Sequence, residues 1–440
     1  MKKISQFLCV AAILDLSAVC YSQNIAPPYE VGTWSGFHSA AVSYTFDDDC
    51  NNQLRVAVPM FNSYGFRLTL FTVINWEHDW VGLQKAASRG HEIGSHTVSH
   101  PRFDTVAAAR QRTEMSNSAS IINSNITGQK CISFSYPYGV EGADSLCSGY
   151  FVAARSCMGF IGAQTPKNFM DVNAFVCGDQ GAIKTIQDFE TADDRAASSK
   201  GWLVYVIHGI DNDGGYSPLP STTLKASLEY LKARKELFWV STFGNVARYI
   251  KERNCISVTE TSYQDSYIAL QATDTLDNNI YNVPVTIRRP LPQKWISAFA
   301  TQNELPISSS IIKTDTAKYV MFDVVPNAGE IKIMETNTTT GVASSDSKGS
   351  LTTSGFSLSQ NYPNPFNPTT TVHFQVFQKS YIDLNVYNLL GEEVSTLVQE
   401  ERPAGVYDVK FDPSGLTSGI YFCRLKVGLS SMTRKMILVR

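Results

Sequence analysis

The 440-residue chain carries no strong charge of either sign: 37 Lys and Arg stand against 40 Asp and Glu, a net −3. That balance gives no reason to expect nucleic acid or an acidic membrane surface as partner. Long apolar runs are missing beyond the first 14 residues, so no later stretch reads as a membrane span. No Cys-x-x-Cys pair occurs, which argues against a zinc site built from cysteine. The Asp-x-Asn-x-Asp-Gly pattern of a calcium-binding EF-hand is also absent. What is present is ordinary for globular domains, with 43% hydrophobic and 18% charged residues, and the length suggests two or three units.

The start, Met1-Lys2-Lys3 followed by the apolar run Phe7–Leu14, has the form of a secretory signal, too short to span a bilayer and broken by Asp15. Small residues predict cleavage after Ser22; Ser17 and Val19 fit lipid attachment at Cys20 poorly. An exported chain meets an oxidising compartment, so some of the seven later cysteines (50, 131, 147, 157, 177, 255, 423) are expected to pair, with an odd one left over.

From Ser39 to about Lys251, short apolar runs alternate with helical stretches. The runs are Ala40–Phe46, Arg67–Ile74, His91–Ser95, Cys131–Tyr136, Phe151–Ala154, Leu203–Ile207 and Phe238–Ser241. Expected helices are Gln53–Ser63, Trp80–Ser88, Val106–Asn123, Asp188–Ser198 and Thr222–Lys235. Such alternation predicts an α/β fold with a parallel sheet or barrel, whose chemistry collects at the C-terminal strand ends. Asp47-Asp48, His96 and His208 all fall at such ends. Residues 255–336 alternate apolar and polar positions between turn signals and read as a small β-sandwich. Residues 337–355, rich in Thr, Ser and Gly, read as a linker, and 356–440 as a last β-rich unit. Tyr281, Trp295 and Phe299 are read as core rather than as a sugar platform.

Ser95-His96-Thr97-Val98-Ser99-His100-Pro101 sets two imidazoles four residues apart, close enough on one turn or tight loop to share an ion. Asp47, Asp48 and Asp49 follow an apolar strand, where clustered carboxylates repel and call for a cation or protons. A solvated acidic turn is the bland reading of that cluster. Leu203–Ile207 ends in His208, by itself as compatible with a hydrogen-bonded turn residue as with a catalyst.

Taken in order, Thr45-Phe46-Asp47-Asp48, His96-Thr97-x-x-His100-Pro101, Tyr136-Pro137-Tyr138-Gly139, the strand ending in His208, and Trp239–Phe243 resemble the motifs of the polysaccharide deacetylase family. That is the NodB-homology group, carbohydrate esterase family 4. The likeness covers about Ser39 to Lys251. It implies a distorted (β/α) barrel with a shallow glycan groove and one divalent metal on Asp48, His96 and His100. Zinc suits two imidazoles and a carboxylate best, with cobalt, nickel or manganese also fitting. By the same resemblance Asp47 is the base, His208 the acid, and the Tyr138 backbone N–H an oxyanion donor. The implied reaction is removal of N- or O-linked acetyl groups from a chitin-like, peptidoglycan or xylan polysaccharide. Three departures stand out: Asp49 replaces a glycine, Ser135 stands where an arginine orients the base, and the aspartate-tryptophan motif that tunes the acid has no match. Arg155 could supply the missing charge, and Asp171 or Asp179 the missing aspartate. These departures leave open an alternative, a weak or non-catalytic glycan-binding protein on the same barrel. A different metal hydrolase, such as a phosphoesterase, lacks the second carboxylate-histidine cluster it would need.

Asn361-Tyr362-Pro363-Asn364-Pro365-Phe366-Asn367-Pro368-Thr369-Thr370, with Val386–Gly391, Gly405 and Ser418–Tyr421, resembles the type IX secretion sorting domain of Bacteroidetes-related bacteria. It implies a β-sandwich read by that export machinery, and a secreted or surface protein exported through the periplasm of a Gram-negative bacterium.

Overall fold

The computed structural model describes residues 24–25, 28–314, 317–336, 356–358, 360–361, 363–376, 380–388, 392–403, 405–427 and 430–439. The export signal expected over residues 1–22 and the linker expected over 337–355 lie outside them, as do Tyr362 and residues 389–391 of the tail motifs. The chain divides into two compact units, Met1–Thr261 with Leu270–Arg289 and Asp323–Gly329, and Ser262–Ala269 with Pro290–Phe322 and Glu330–Arg440.

The first unit is built on a parallel sheet: β1 (Ala40–Asp47), β2 (Thr69–Thr72), β3 (Glu92–Ser95), β4 (Ser133–Ser135), β5 (Ala153–Arg155), β6 (Phe175–Val176), β7 (Trp202–Ile207) and β8 (Phe238–Val240). Its order is β5-β4-β3-β2-β1-β7-β6, and β8 pairs with the first residues of β1, leaving the last three to β2. The sheet curls until β5 meets the chain entering β6: Arg155 and Val172 form a parallel bridge, with Val172 N donating to Ala154 O at 2.9 Å. Strands β1 and β7 are buried on both faces, which is why they read as unbroken apolar runs.

Period-2 alternation then sorts the side chains. Val42, Tyr44 and Phe46 of β1 and Leu203, Tyr205 and Ile207 of β7 face outward, in one cluster with residues of helices α1 (Val58–Tyr64), α2 (Trp80–Ala87), α3 (Ala108–Asn125), α4 (Asp144–Cys147), α5 (Ile186–Ser199) and α6 (Ser221–Ala233). Ala41, Phe71, Ala153, Val204 and Val206 face the barrel interior. By the same alternation Asp47, His96, Ser135 and Arg155 point inward at the C-terminal rim. A last helix, α7 (Phe243–Cys255), plugs the opposite end. There Glu92 accepts from Gly244 N at 2.8 Å, Thr69 Oγ1 at 2.9 Å and Ser133 Oγ at 2.8 Å. A carboxylate under a helix N-terminus is a favourable placement.

The seven expected strands and five expected helices are present with ends shifted by a few residues. Strand β6 and helix α7 were not anticipated. Cys255 is disulfide-bonded, while Cys50, Cys131, Cys147, Cys157, Cys177 and Cys423 are free thiols, so the expected pairing among these seven does not occur.

After the barrel come β9 (Ser257–Tyr263), β10 (Tyr267–Thr273), β11 (Val285–Pro290), β12 (Ser297–Gln302), β13 (Leu305–Pro306), β14 (Ser309–Lys313), β15 (Lys318–Val324) and β16 (Ile331–Thr336). Within the second unit β12 pairs antiparallel with β16, and β14 with β15. Tyr281 and Trp295 are buried, as core residues should be, and Phe299 is partly so. The C-terminal strands are β17 (Phe356–Leu358), β18 (Thr370–Val376), β19 (Ser380–Tyr387), β20 (Glu393–Arg402), β21 (Gly405–Phe411), β22 (Gly419–Val427) and β23 (Ser430–Leu438). They form two antiparallel sheets, β17-β18-β21 and β20-β19-β22-β23, enclosing Phe366, Phe374, Leu384 and Leu425. Asn361 ties the Pro/Asn turn with bonds to Pro363 O at 3.0 Å and Thr370 Oγ1 at 2.9 Å. Among the described residues no helix is long and apolar enough to cross a membrane.

Candidate active site and metal centre

The backbone leaves β1 through two residues in the left-handed region, Asp48 at φ +72° and Asp49 at φ +50°, a conformation aspartate tolerates. This turn separates the three carboxylates. Asp47 stays inside the barrel, Asp48 reaches across the rim, and Asp49 turns away to accept from Val73 N at 2.9 Å. Gln53 Nε2 donates to the Asp47 carbonyl and, at 3.1 Å, to the His208 carbonyl, tying the ends of β1 and β7 together.

His96 and His100 lie on a loop, the tight-loop form of the expected pair, with Thr97 at φ +74° and His100 at φ +56°. Asp48 Oδ1 is 3.5 Å from Nε2 of each histidine. The two Nε2 atoms stand 3.2 Å apart. His96 Nδ1 faces the Ser135 carbonyl at 2.8 Å, so Nδ1 carries the proton and the Nε2 lone pair looks toward Asp48. Burial pushes the His96 imidazole down to about 4 and also lowers His100, keeping both neutral. Burial, with the nearby charges of Asp47 and Asp49, pushes Asp48 up to about 7. Asp48 Oδ1 is buried without a hydrogen-bond partner among the described residues. Two converging lone pairs and a destabilised, undonated carboxylate are the features that a cation would satisfy together. Among the described residues this is the one group of three such side chains with metal-ligating spacing.

Asp47 is buried, and Arg155 Nη2 donates to its Oδ1. Ser135 Oγ donates to Oδ2 at 3.1 Å, and His96 Nε2 is 3.6 Å from that same oxygen. Burial alone would raise this carboxyl; Arg155, with help from His96 and His208, overrides it and holds the group well below the usual carboxylate range. Arg155 also lies over the Phe71 ring, 5.1 Å from its centroid. The residue suggested as a source of the missing charge thus reaches Asp47 from β5, the strand beside Ser135, and Ser135 makes room for it.

His208 points Nε2 toward Asp48 Oδ2 at 4.0 Å, and burial lowers its pKa. Its Nδ1 has no hydrogen-bond partner among the described residues. Neither candidate aspartate supplies one, and Asp171 Oδ1 instead accepts from Ser156 Oγ at 2.6 Å. Tyr138 sits at the rim in a left-handed turn, φ +59°, its ring 4.7 Å from that of His100.

Sequence reasoning missed the aromatic rim. Trp76, 41% exposed, lies with its ring 5.1 Å from His100, and Tyr216, 55% exposed, lies 5.1 Å from His208. Both sit in loops after strand ends, where apolar periodicity carries no signal.

Residues 36–148 belong to the polysaccharide deacetylase family, and residues 360–439 form a secretion system C-terminal sorting domain. The first match holds Asp47, Asp48, His96, His100 and Tyr138 and ends before Arg155 and His208. The chain is 26% identical over 327 residues to the gellan lyase of a Bacillus species, covering 69% of this chain and 13% of that protein. It is 28% identical over 110 residues to YxkH of Bacillus subtilis (strain 168), a polysaccharide deacetylase by name, covering 24% and 39% respectively. The chain therefore spans well under two thirds of either relative. A crystal structure from Mycobacterium smegmatis, also named for polysaccharide deacetylation, overlays with a TM-score of 0.41 at 15% identity, covering 53% of this chain and 98% of that one.

Proposed function

We propose that this chain is an exported, metal-dependent enzyme that hydrolyses N- or O-linked acetyl groups from a polysaccharide. The observation that carries the reading is Asp48 Oδ1 at 3.5 Å from both His96 and His100 Nε2, with Asp47 and His208 at the ends of adjacent strands beside it. A divalent ion on Asp48, His96 and His100, zinc by its donor set and otherwise cobalt, nickel or manganese, would polarise the acetyl carbonyl and acidify the attacking water.

The protein's own groups do the rest. Arg155 holds Oδ1 of Asp47, while Oδ2, which faces His96 and keeps a lone pair beyond its bond from Ser135, takes the proton of the attacking water. Ser135 and Arg155 fix that carboxylate in one orientation. The Tyr138 backbone N–H donates to the oxyanion as the carbonyl becomes tetrahedral. His208 passes a proton to the departing nitrogen or oxygen, and its burial-lowered pKa makes it a ready donor once charged. Acetate and a free amine or hydroxyl leave.

The sorting domain supports export by a type IX machinery to the surface or medium, where acetylated glycans of the chitin, peptidoglycan or xylan kind are the matching substrates. In this reading residues 23–254 are the catalytic barrel, 255–336 an accessory β-domain and 356–440 the export address. Acetate release from a panel of acetylated glycans tests it. Turnover by the wild type with added zinc or cobalt supports the enzyme; glycan binding with no release under those conditions supports the non-catalytic alternative.

A further inference from the structure

The loop bearing both histidines, residues 96–100, belongs to no helix or strand; His96 N still donates to Thr72 O at 2.9 Å, but the next four backbone donors have no ladder to pair with. Side chains serve them instead. Thr97 N donates to Ser95 Oγ at 3.2 Å, and His100 N to Thr97 Oγ1 at 2.8 Å. The two donors between, Val98 N and Ser99 N, both go to Glu114 Oε2, at 2.9 and 2.8 Å. Glu114 Oε1 takes Ser99 Oγ at 2.7 Å and Arg110 Nε at 2.7 Å. One turn further along α3, Ser118 Oγ lies 2.6 Å from Ser95 Oγ. Glu114 and Ser118 are i and i+4, so one stripe of α3 faces the loop.

Glu114 is itself buried, and nothing in the proposed chemistry uses it. A non-glycine loop that passes through the left-handed region at Thr97 and His100 needs its surroundings to hold it there. We infer that Glu114 is a positioning residue for the metal centre: its carboxylate clamps Val98 and Ser99 and so fixes the angle at which His96 and His100 converge. This inference rests on the metal-site reading above. Groups that orient ligands from behind typically contribute about 10- to 100-fold in metal affinity.

The test measures zinc affinity of the exported protein by competition with a chromophoric chelator, alongside circular dichroism and melting of the metal-free form. Glu114→Ala should fold and bind zinc about 10- to 100-fold more weakly. Glu114→Gln should fall between it and wild type, because one amide oxygen can still accept from both backbone donors while its NH2 confronts Arg110. Arg110→Ala, which touches the loop only at Ser99 Oγ, should change affinity least. Wild-type zinc affinity in folded Glu114→Ala and Glu114→Gln overturns the positioning role and leaves the metal site standing. Should Glu114→Ala fail to fold, the isosteric Gln variant decides. A wild type that binds no zinc, or a His100→Ala variant that binds as tightly, sinks the metal-site reading itself.

Discussion

Arg155, at the end of β5, donates to the Asp47 carboxylate at the end of β1, and Ser135, at the end of the adjacent strand β4, holds the other oxygen. The charge that orients the proposed base therefore arrives from one strand further round the barrel than the Tyr136–Gly139 motif suggests. Arg155→Met removes it and leaves a buried carboxylate unpaired, at a cost of about 3–5 kcal/mol in stability. Turnover should fall by about 100-fold or more while zinc stoichiometry holds. Melting curves and kcat check this. A variant with wild-type kcat and melting temperature would show that the pair is incidental.

His208→Gln removes the proposed acid without touching the three proposed ligands, since its nearest approach to Asp48 is 4.0 Å. The expectation is a kcat about 10²- to 10⁴-fold lower with one zinc still bound. Loss of zinc in this variant would place His208 among the ligands instead.

Trp76 and Tyr216 flank the centre on the His100 and His208 sides, each presenting a half-exposed ring. Stacking of sugar rings on them predicts that Trp76→Ala and Tyr216→Ala each raise KM for an acetylated polymer about 10-fold, the equivalent of ~1.4 kcal/mol. Turnover of a small acetyl ester should be unchanged. Equal losses on both substrates would argue that the rings shape the centre rather than hold the glycan.

Glu252 on α7 is fully buried; its Oε1 accepts from Val283 N at 3.1 Å, and its Oε2 has no hydrogen-bond partner among the described residues. Burial pushes its carboxyl up from 4.5 to about 8. Folded protein thus keeps this proton up to about pH 8, while the unfolded chain releases it above pH 4.5. Its contribution to stability is complete below that lower value and is lost as pH rises toward the upper one. Glu252→Gln keeps the hydrogen bond and should be more stable than wild type at pH 8 by roughly 1–3 kcal/mol, and little different at pH 4.5. Denaturant curves at the two pH values decide it; parallel pH profiles for the two proteins would contradict it.

The legible parts of this molecule are those governed by local rules. Strands β1 and β7 are buried on both faces, so their apolar runs and the polar residues at their ends stood out, and with them Asp47, Asp48 and His208. The histidine pair was visible by spacing, though the chain brings the rings together through positive φ at Thr97 and His100 rather than along a helix face. Strand β6 is two residues long, too short for any periodicity to show. Helix α7 carries a readable N-cap, Thr242 accepting from Asn245 N at 3.3 Å, and buries Phe243, Val246, Ala247 and Ile250 at helical spacing, so it was legible and was overlooked. The Arg155–Asp47 pair joins residues 108 apart, and the Glu114 clamp is non-local too; such contacts follow from the closure of the barrel and leave no mark on either segment alone.

The most direct test of metal-dependent deacetylation is acetate release from an acetylated glycan by the chelator-stripped protein, before and after addition of one equivalent of zinc or cobalt. The account predicts that stripping abolishes release, that metal restores it in the wild type, and that it restores nothing in Asp48→Ala. Undiminished release from protein shown to be metal-free would contradict it.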